Sequence, residues 1–292
     1  MWIAERRAER RAVTIVSADS RQVYRDFDVG TAKPSAGERA RVPHRGLDVA
    51  LPTERYSAAE WCASAAGWID EAYANGHAPL VVGGTGLYLR ALFDGLFEEP
   101  ALDPGRRQGI AAALATLETV ELRRWVERLD RQRAHLGRTQ LLRAVEIALL
   151  TGRRMSDLHR DHARTPRWQA RYLVVDPGPA LADRIAVRID HMLDNGWPDE
   201  VTRLMQTVPA DAPAWNATGY DAVRTLVSGA MTRAAAREKI LIATRQYAKR
   251  QRTWFRHQLP ADRVTRVDPG AADWPATVER WLASFTPDER LA

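Results

Sequence analysis

The first clear pattern in the chain is a short apolar run, Ile15-Val16-Ser17-Ala18, which predicts a strand over 13–18. A second run, Pro79-Leu80-Val81-Val82, predicts another strand and leads straight into Gly83-Gly84-Thr85-Gly86. Between them, residues 57–75 carry helical spacing, with Ser57 as cap and Glu60 three positions on, the pattern of a capping box. A helix over 87–93 follows the glycine turn. Strand, helix, strand, turn and helix in this order predict an α/β fold. Residues 1–14 read as the end of a charged helix that precedes the first strand.

The pattern changes at Glu98-Glu99-Pro100. Residues 103–133 are helical and heavily charged, and 141–150 form a further helix stopped at Thr151-Gly152. A lone strand at 172–176 is expected to resume the sheet, followed by helices at about 180–195, 198–207, 219–228 and 231–257. No repeat or low-complexity linker interrupts this order. The expected organisation is an α/β core in two parts, 1–97 and 171–292, around a helical insertion at 98–170.

Composition narrows the classes. With 292 residues and 45% hydrophobic content, the chain can bury a full core, which excludes global disorder. The net charge is +6, and lysine occurs only at Lys33, Lys239 and Lys249, so the cations are nearly all arginine. Arginine grips phosphates in a planar, bidentate way, which suits nucleic acid or phosphorylated substrates. The single cysteine, Cys62, excludes an internal disulfide and a cysteine zinc cluster, and is expected as a small buried hydrophobe. No apolar run reaches transmembrane length, and the N-terminus lacks the apolar region of a signal peptide. A cytoplasmic protein without membrane contact is expected.

Four stretches can carry chemistry. Asp19-Ser20 follows the first strand, where open α/β sheets keep their ligands, but position alone favours a helix cap. The glycine turn at 83–86 offers backbone N–H groups to an anion or a base, although glycines also make ordinary tight turns. On the helix over 237–256, Leu241, Thr244, Ala248 and Phe255 share one face with Ile240 beside them. Arg245, Lys249, Arg252 and Arg256 fall on an adjoining stripe only about 60° wide. Four cations without an acid suit a phosphate backbone better than a randomly solvated face. Arg184 and Arg188, one helical turn apart, can hold a diphosphate, though salt bridges to Asp183 or Asp190 are the simpler reading. The seven histidines show no metal spacing; His159 and His162 beside Asp157 and Asp161 read as a charged surface turn.

Together the stretches SADSRQVYRDFDVGTAKP (17–34), PHRGLDV (43–49), YSAAEW (56–61), PLVVGGTGLYLRAL (79–92), RTQLLRAVEI (138–147), ATGY (217–220) and RQYAKRQRTWFR (245–256) resemble the tRNA dimethylallyltransferase family. They run in the family's order over nearly the whole chain. The resemblance implies a P-loop NTPase-like parallel sheet core with a small all-helical insertion domain. It also implies transfer of a dimethylallyl group from dimethylallyl diphosphate to the exocyclic N6 of the adenine 3′ to the tRNA anticodon. Asp19 is then the general base, and Arg188 contacts the diphosphate, with Mg2+ bridging the same oxygens. Asp19, Ser20, Arg21, Gln22, Thr85, Arg107, Thr139, Gln140, Leu141, Leu142, Arg143, Gly219, Tyr220, Arg245, Lys249, Arg250 and Arg252 lie near tRNA in this reading. The helical insertion clamps the anticodon stem, and a monomer is expected.

One family feature is missing. The family opens with a strand and a loop of the G-P-T-A-x-G-K-[ST] kind, yet no glycine here is followed by lysine. Met1 to Arg6 resemble the tail of the helix after that loop, so the first expectation is that the true start lies upstream. The other readings are a tRNA-binding protein without transferase activity and an active variant with a different phosphate site. An adenylate isopentenyltransferase needs neither the helical insertion nor the basic helix.

Overall fold

The computed structural model describes Glu5 and residues 12–95, 103–161 and 167–284. Most of the helix expected before residue 12, the change of character at 98–100, and His162 lie outside the described residues. The chain divides into two compact units, one of Met1–Phe93 with Arg167–Ala292 and one of Asp94–Pro166. The pattern had set the boundaries at 98 and 170.

In the first unit, strand β1 (Val13–Ser17) is buried at all five residues because it is central, with partners on both edges. It pairs in parallel with β2 (His44–Arg45) on one side and β3 (Ala78–Val82) on the other, giving the order β2-β1-β3. Between β1 and β2 a loop leads to helix α1 (Ala36–Arg41), which Ser35 and Glu38 cap. Helix α2 (Ala58–Ala74) begins at the expected Ser57–Glu60 capping box. It buries Trp61, Ala65, Ile69 and Ala72, one face at helical spacing. Each such large side chain removed from water contributes roughly 1.5–3 kcal/mol. Trp61 donates its Nε1–H to the Ser17 carbonyl at 3.0 Å and stacks on Tyr88 with ring centroids 4.6 Å apart. These contacts fix the carboxyl end of β1 against the helix layer. The expected 87–93 helix is α3 (Gly86–Arg90), which widens into a π turn over Ala91–Gly95.

The second unit is helical throughout its described residues: α4 (Pro104–Ala115), α5 (Thr119–Leu129), α6 (Arg138–Thr151) and α7 (Met155–Asp161). Leu114, Leu122, Val126, Leu141, Ala144 and Val145 form its core. Buried Asp130 accepts from the Ser156 amide at 2.9 Å and hydroxyl at 2.6 Å, which ties α7 to the end of α5.

The chain returns to the first unit as β4 (Tyr172–Val175). It does not resume the β1 sheet as expected. It pairs in parallel with β5 (Val264–Val267) in a separate two-stranded sheet. α1, β2, β5 and the last helix, α12 (Trp274–Ala283), were not anticipated, and Asp157, His159 and Asp161, read as a charged surface turn, lie in helix α7; β2 has two residues, and β5 reads VTRV with a charge inside it. Helices α8 (Leu181–Asp194), α9 (Trp197–Thr207), α10 (Tyr220–Val227) and α11 (Arg233–His257) complete the layer. Their apolar faces join Val16, Trp61 and Tyr88 in one main core. Cys62 packs beside this core half-buried, its thiol toward the Ala91 carbonyl at 3.3 Å. No helix of the described residues is long and apolar enough to cross a membrane.

Candidate functional site

The carboxyl ends of β1 and β3 lie side by side and are stitched together beyond the last ladder residue. The Ala18 amide donates to the Val82 carbonyl at 2.7 Å, and the Thr85 amide to the Ala18 carbonyl at 3.1 Å. The Ser20 amide donates to Thr85 Oγ1 at 3.0 Å. Gly83 is required by this closeness, since a Cβ there would stand 2.2 Å from the Ala18 carbonyl oxygen.

Asp19 sits half-exposed at the head of this stitch. Its Oδ1 accepts from the Arg21 amide at 2.8 Å, which makes a turn. No helix follows, since the next one, α1, takes Ser35 as its cap, so the capping reading of Asp19 falls away. One carboxylate oxygen is committed to the turn.

Helix α11 closes over the glycine turn. Gln251 Nε2 donates to the Gly84 carbonyl at 2.9 Å, and side-chain atoms at Gly84 or Gly86 would meet Gln251 or the Trp254 ring. The Tyr247 hydroxyl lies near the side chains of Thr85 and Gln251. Burial, reinforced by the Asp19 carboxylate, pushes the Tyr247 hydroxyl above its ordinary range, so it stays a proton carrier. Asp19, Thr85, Tyr247 and Gln251 thus converge on one spot. Sequence reading found the first two. Tyr247, Gln251 and Trp254 share a helix face, a signal present in the RQYAKRQRTWFR stretch but not assigned to any partner.

The cationic stripe lies on the other side of α11 at 100° per residue. Arg245, Lys249 and Arg256 are exposed and form no ion pair with a described acid, while Arg252 pairs with Asp176 at 3.0 Å. Arg250 lies over the Tyr247 ring at 5.8 Å. On α8, Arg184 and Arg188 are exposed. Asp190, considered as their partner, instead pairs with Arg237 of α11 at 2.5 Å.

Three expected substrate contacts are engaged within the protein itself. Gln22 is turned inward, accepting from Ser17 Oγ at 3.1 Å and donating to the Thr31 and Ala32 carbonyls at 3.2 Å each. Tyr220 is fully buried, its hydroxyl donating to Glu200 at 2.7 Å, because Phe27, Trp197 and Trp215 enclose its ring. Gly219 beside it leaves room for the Trp197 ring, with a φ of +95°. Leu141 is buried in the helical unit's own core. In that unit Thr139 and Gln140 are exposed, Leu142 is half-buried, and Arg107 and Arg143 both pair with Glu146.

Metal donors are scattered. Among the described residues no three His, Cys, Asp or Glu side chains gather to hold an ion. No step below runs through the metal. His77 is engaged with Thr14 at 2.9 Å and His44 with the Val42 carbonyl at 2.7 Å, both beside β1.

The IPP transferase family model matches residues 22–258. The chain is 39% identical over 257 residues to a tRNA dimethylallyltransferase of Chromohalobacter salexigens, covering 85% of this chain and 82% of that one. It is 40% identical over 284 residues to one of Alkalilimnicola ehrlichii, covering 94% and 90%. The crystal structure of the full-length tRNA isopentenylpyrophosphate transferase of Bacillus halodurans is similar with a TM-score of 0.68 and 29% identity, over 96% of this chain and 89% of that one.

Proposed function

This chain belongs to the IPP transferase family, and from that premise we propose that it transfers a dimethylallyl group from dimethylallyl diphosphate to the N6 amine of the adenine 3′ to the anticodon in tRNA. The observation that carries the reading is the tethered, half-exposed Asp19 carboxylate beside Thr85 and Tyr247. An adenine amine is a poor nucleophile because its lone pair is delocalised into the ring. It attacks when a carboxylate takes its proton as the bond forms. In the step proposed, N6 bonds to the allylic C1, the C1–O bond breaks, diphosphate leaves, and the N6 proton passes to the free oxygen of Asp19.

The leaving diphosphate gathers charge that cations stabilise. Exposed Arg188 supplies one, and its position one turn from Arg184 supports a paired grip. An adenine in a structured loop reacts only after it leaves its stack. We assign tRNA phosphate contacts to the exposed cations of α11 and, in the helical unit taken by itself, tRNA contacts to Arg107, Thr139, Gln140 and Arg143. The reading is of a cytoplasmic monomer. A free-nucleotide substrate does not account for a separate helical unit or for the open cationic stripe.

The test is single-turnover transfer of labelled dimethylallyl diphosphate to unmodified tRNA by this chain, with Asp19→Asn alongside. Asparagine keeps the turn, because its carbonyl oxygen still accepts from the Arg21 amide, and removes only the base. Label in the tRNA that falls at least a hundredfold with Asp19→Asn is expected. Undiminished transfer by that variant excludes Asp19 as base. No transfer by the unaltered chain, with tRNA still bound, leaves an RNA-binding protein.

A further inference from the structure

Glu200, in the first turn of α9, is 1% exposed and has no cation beside it among the described residues. Its Oε2 accepts from the amides of Asp28 at 2.8 Å and Val29 at 2.6 Å. Its Oε1 accepts from the Gly30 amide at 3.3 Å and from the Tyr220 hydroxyl at 2.7 Å. Three successive backbone N–H groups therefore converge on one carboxylate, a concave anion nest whose anion belongs to the protein itself. Burial and the carboxylate hold the Tyr220 hydroxyl far above its ordinary range, so it remains a donor.

The turn so held is pinned from other sides. The Trp197 indole lies flush against Gly30, where a Cβ would stand 2.1 Å from its Nε1. Ala32 sits at a φ of +50°, a left-handed backbone that an alanine keeps only when its surroundings impose it. The carbonyls of Thr31 and Ala32 are the ones that grip the Gln22 side-chain amide, and Gln22 directly follows Arg21, whose backbone N–H holds the Asp19 carboxylate. Lys33, its side chain only 1% exposed, closes the loop onto Asp28 and Asp48.

We infer that Glu200 is a positioning residue: by clamping the 28–30 turn it sets the Thr31 and Ala32 carbonyls, and through Gln22 it holds the Asp19 carboxylate in register. Its catalytic consequence rests on the transferase reading; its effect on the loop does not. Glutamine at position 200 has the same shape but only one acceptor oxygen, so it cannot serve all four donors. A core anion that merely fills space predicts loss of folded protein without a change in the loop or in the rate per folded molecule.

The experiment compares the full chain with its Glu200→Gln and Tyr220→Phe variants. Amide hydrogen exchange across 28–32 is read beside single-turnover rate at saturating tRNA and diphosphate, and tRNA affinity beside both. The expected result for Glu200→Gln is at least tenfold faster exchange at 28–30 and at least a tenfold lower rate, with tRNA affinity within twofold. Tyr220→Phe, which removes one donor and no charge, is expected to fall between. It carries the comparison should the glutamine variant not fold. A folded variant with unchanged 28–30 exchange overturns the clamp, and faster exchange with an unchanged rate overturns the positioning of Asp19. If the unaltered chain transfers nothing, the transferase reading fails while the exchange arm still decides what Glu200 does to the loop.

Discussion

At the residue scale the site depends on how closely two backbones approach. Gly83 sits where any side chain would enter the Ala18 peptide, with its Cβ 2.2 Å from the oxygen and 2.4 Å from the carbon. Neither atom belongs to a flexible side chain, so the strands themselves must part. Gly83→Ala is expected to cost about 1–3 kcal/mol, the range for overpacking a tight site, measured by urea unfolding. Only an unchanged midpoint would mean that the strand ends are not stitched. The same closeness explains which site residues could be read from sequence. Asp19 and Thr85 stand next to visible strand and glycine signals. Tyr247, Gln251 and Glu200 act on segments more than 160 positions away, and helical spacing names a face without naming what it touches. Leu141 and Tyr220 mislead in the opposite way, because a residue inside a recognisable stretch can be there for packing.

At the element scale, α11 presents two chemistries back to back. One face, Tyr247, Gln251 and Trp254, locks onto the glycine turn, and the opposite stripe carries Arg245, Lys249 and Arg256 into solvent. A cation that contacts phosphate releases bound counterions, so its removal lowers the salt slope of binding as well as affinity. Arg245→Ala and Lys249→Ala are each expected to weaken tRNA binding and to reduce the slope by about 0.7–0.9, read by titration across salt concentrations. An unaltered slope with both removed would place the RNA elsewhere. The elements with strong periodicity, β1, β3, α2 and α11, were legible from the pattern. β2 and β5 were not, being two and four residues long with charges inside, and pairing with β5 is what places β4 outside the β1 sheet.

At the scale of the whole molecule, its shifted groups respond to acid in one direction. Backbone and side-chain hydrogen bonds from Ser35 lower Glu38, those from Ser57 lower Glu60, and Arg45 and Arg237 lower Glu71 and Asp190. Burial raises Asp48, but Lys33 and Arg39 outweigh it and the carboxyl ends below its usual range. Burial likewise lowers His44, which favours its neutral form. In every case the unfolded chain takes up the proton first, so stability falls as pH falls. The melting temperature is expected to decline below about pH 6.5 as unfolded His44 protonates, then more steeply below about 4.5 as the carboxylates follow. Circular dichroism melts from pH 8 to 4 would check this, and His44→Gln should flatten only the upper limb.

Every strand pairing among the described residues is parallel and joins distant segments: Ile15 with His44, Val13 with Ala78, and Tyr172 with Val264. No hairpin exists among them to start a sheet locally. During synthesis β4 emerges 92 positions before its only described partner. At ribosomal speeds of about 5–20 residues per second, it waits about 5–18 s unpaired. For that interval its apolar YLVV edge is open to any other extended chain nearby, so slower synthesis lengthens the time in which β4 can pair with the wrong strand.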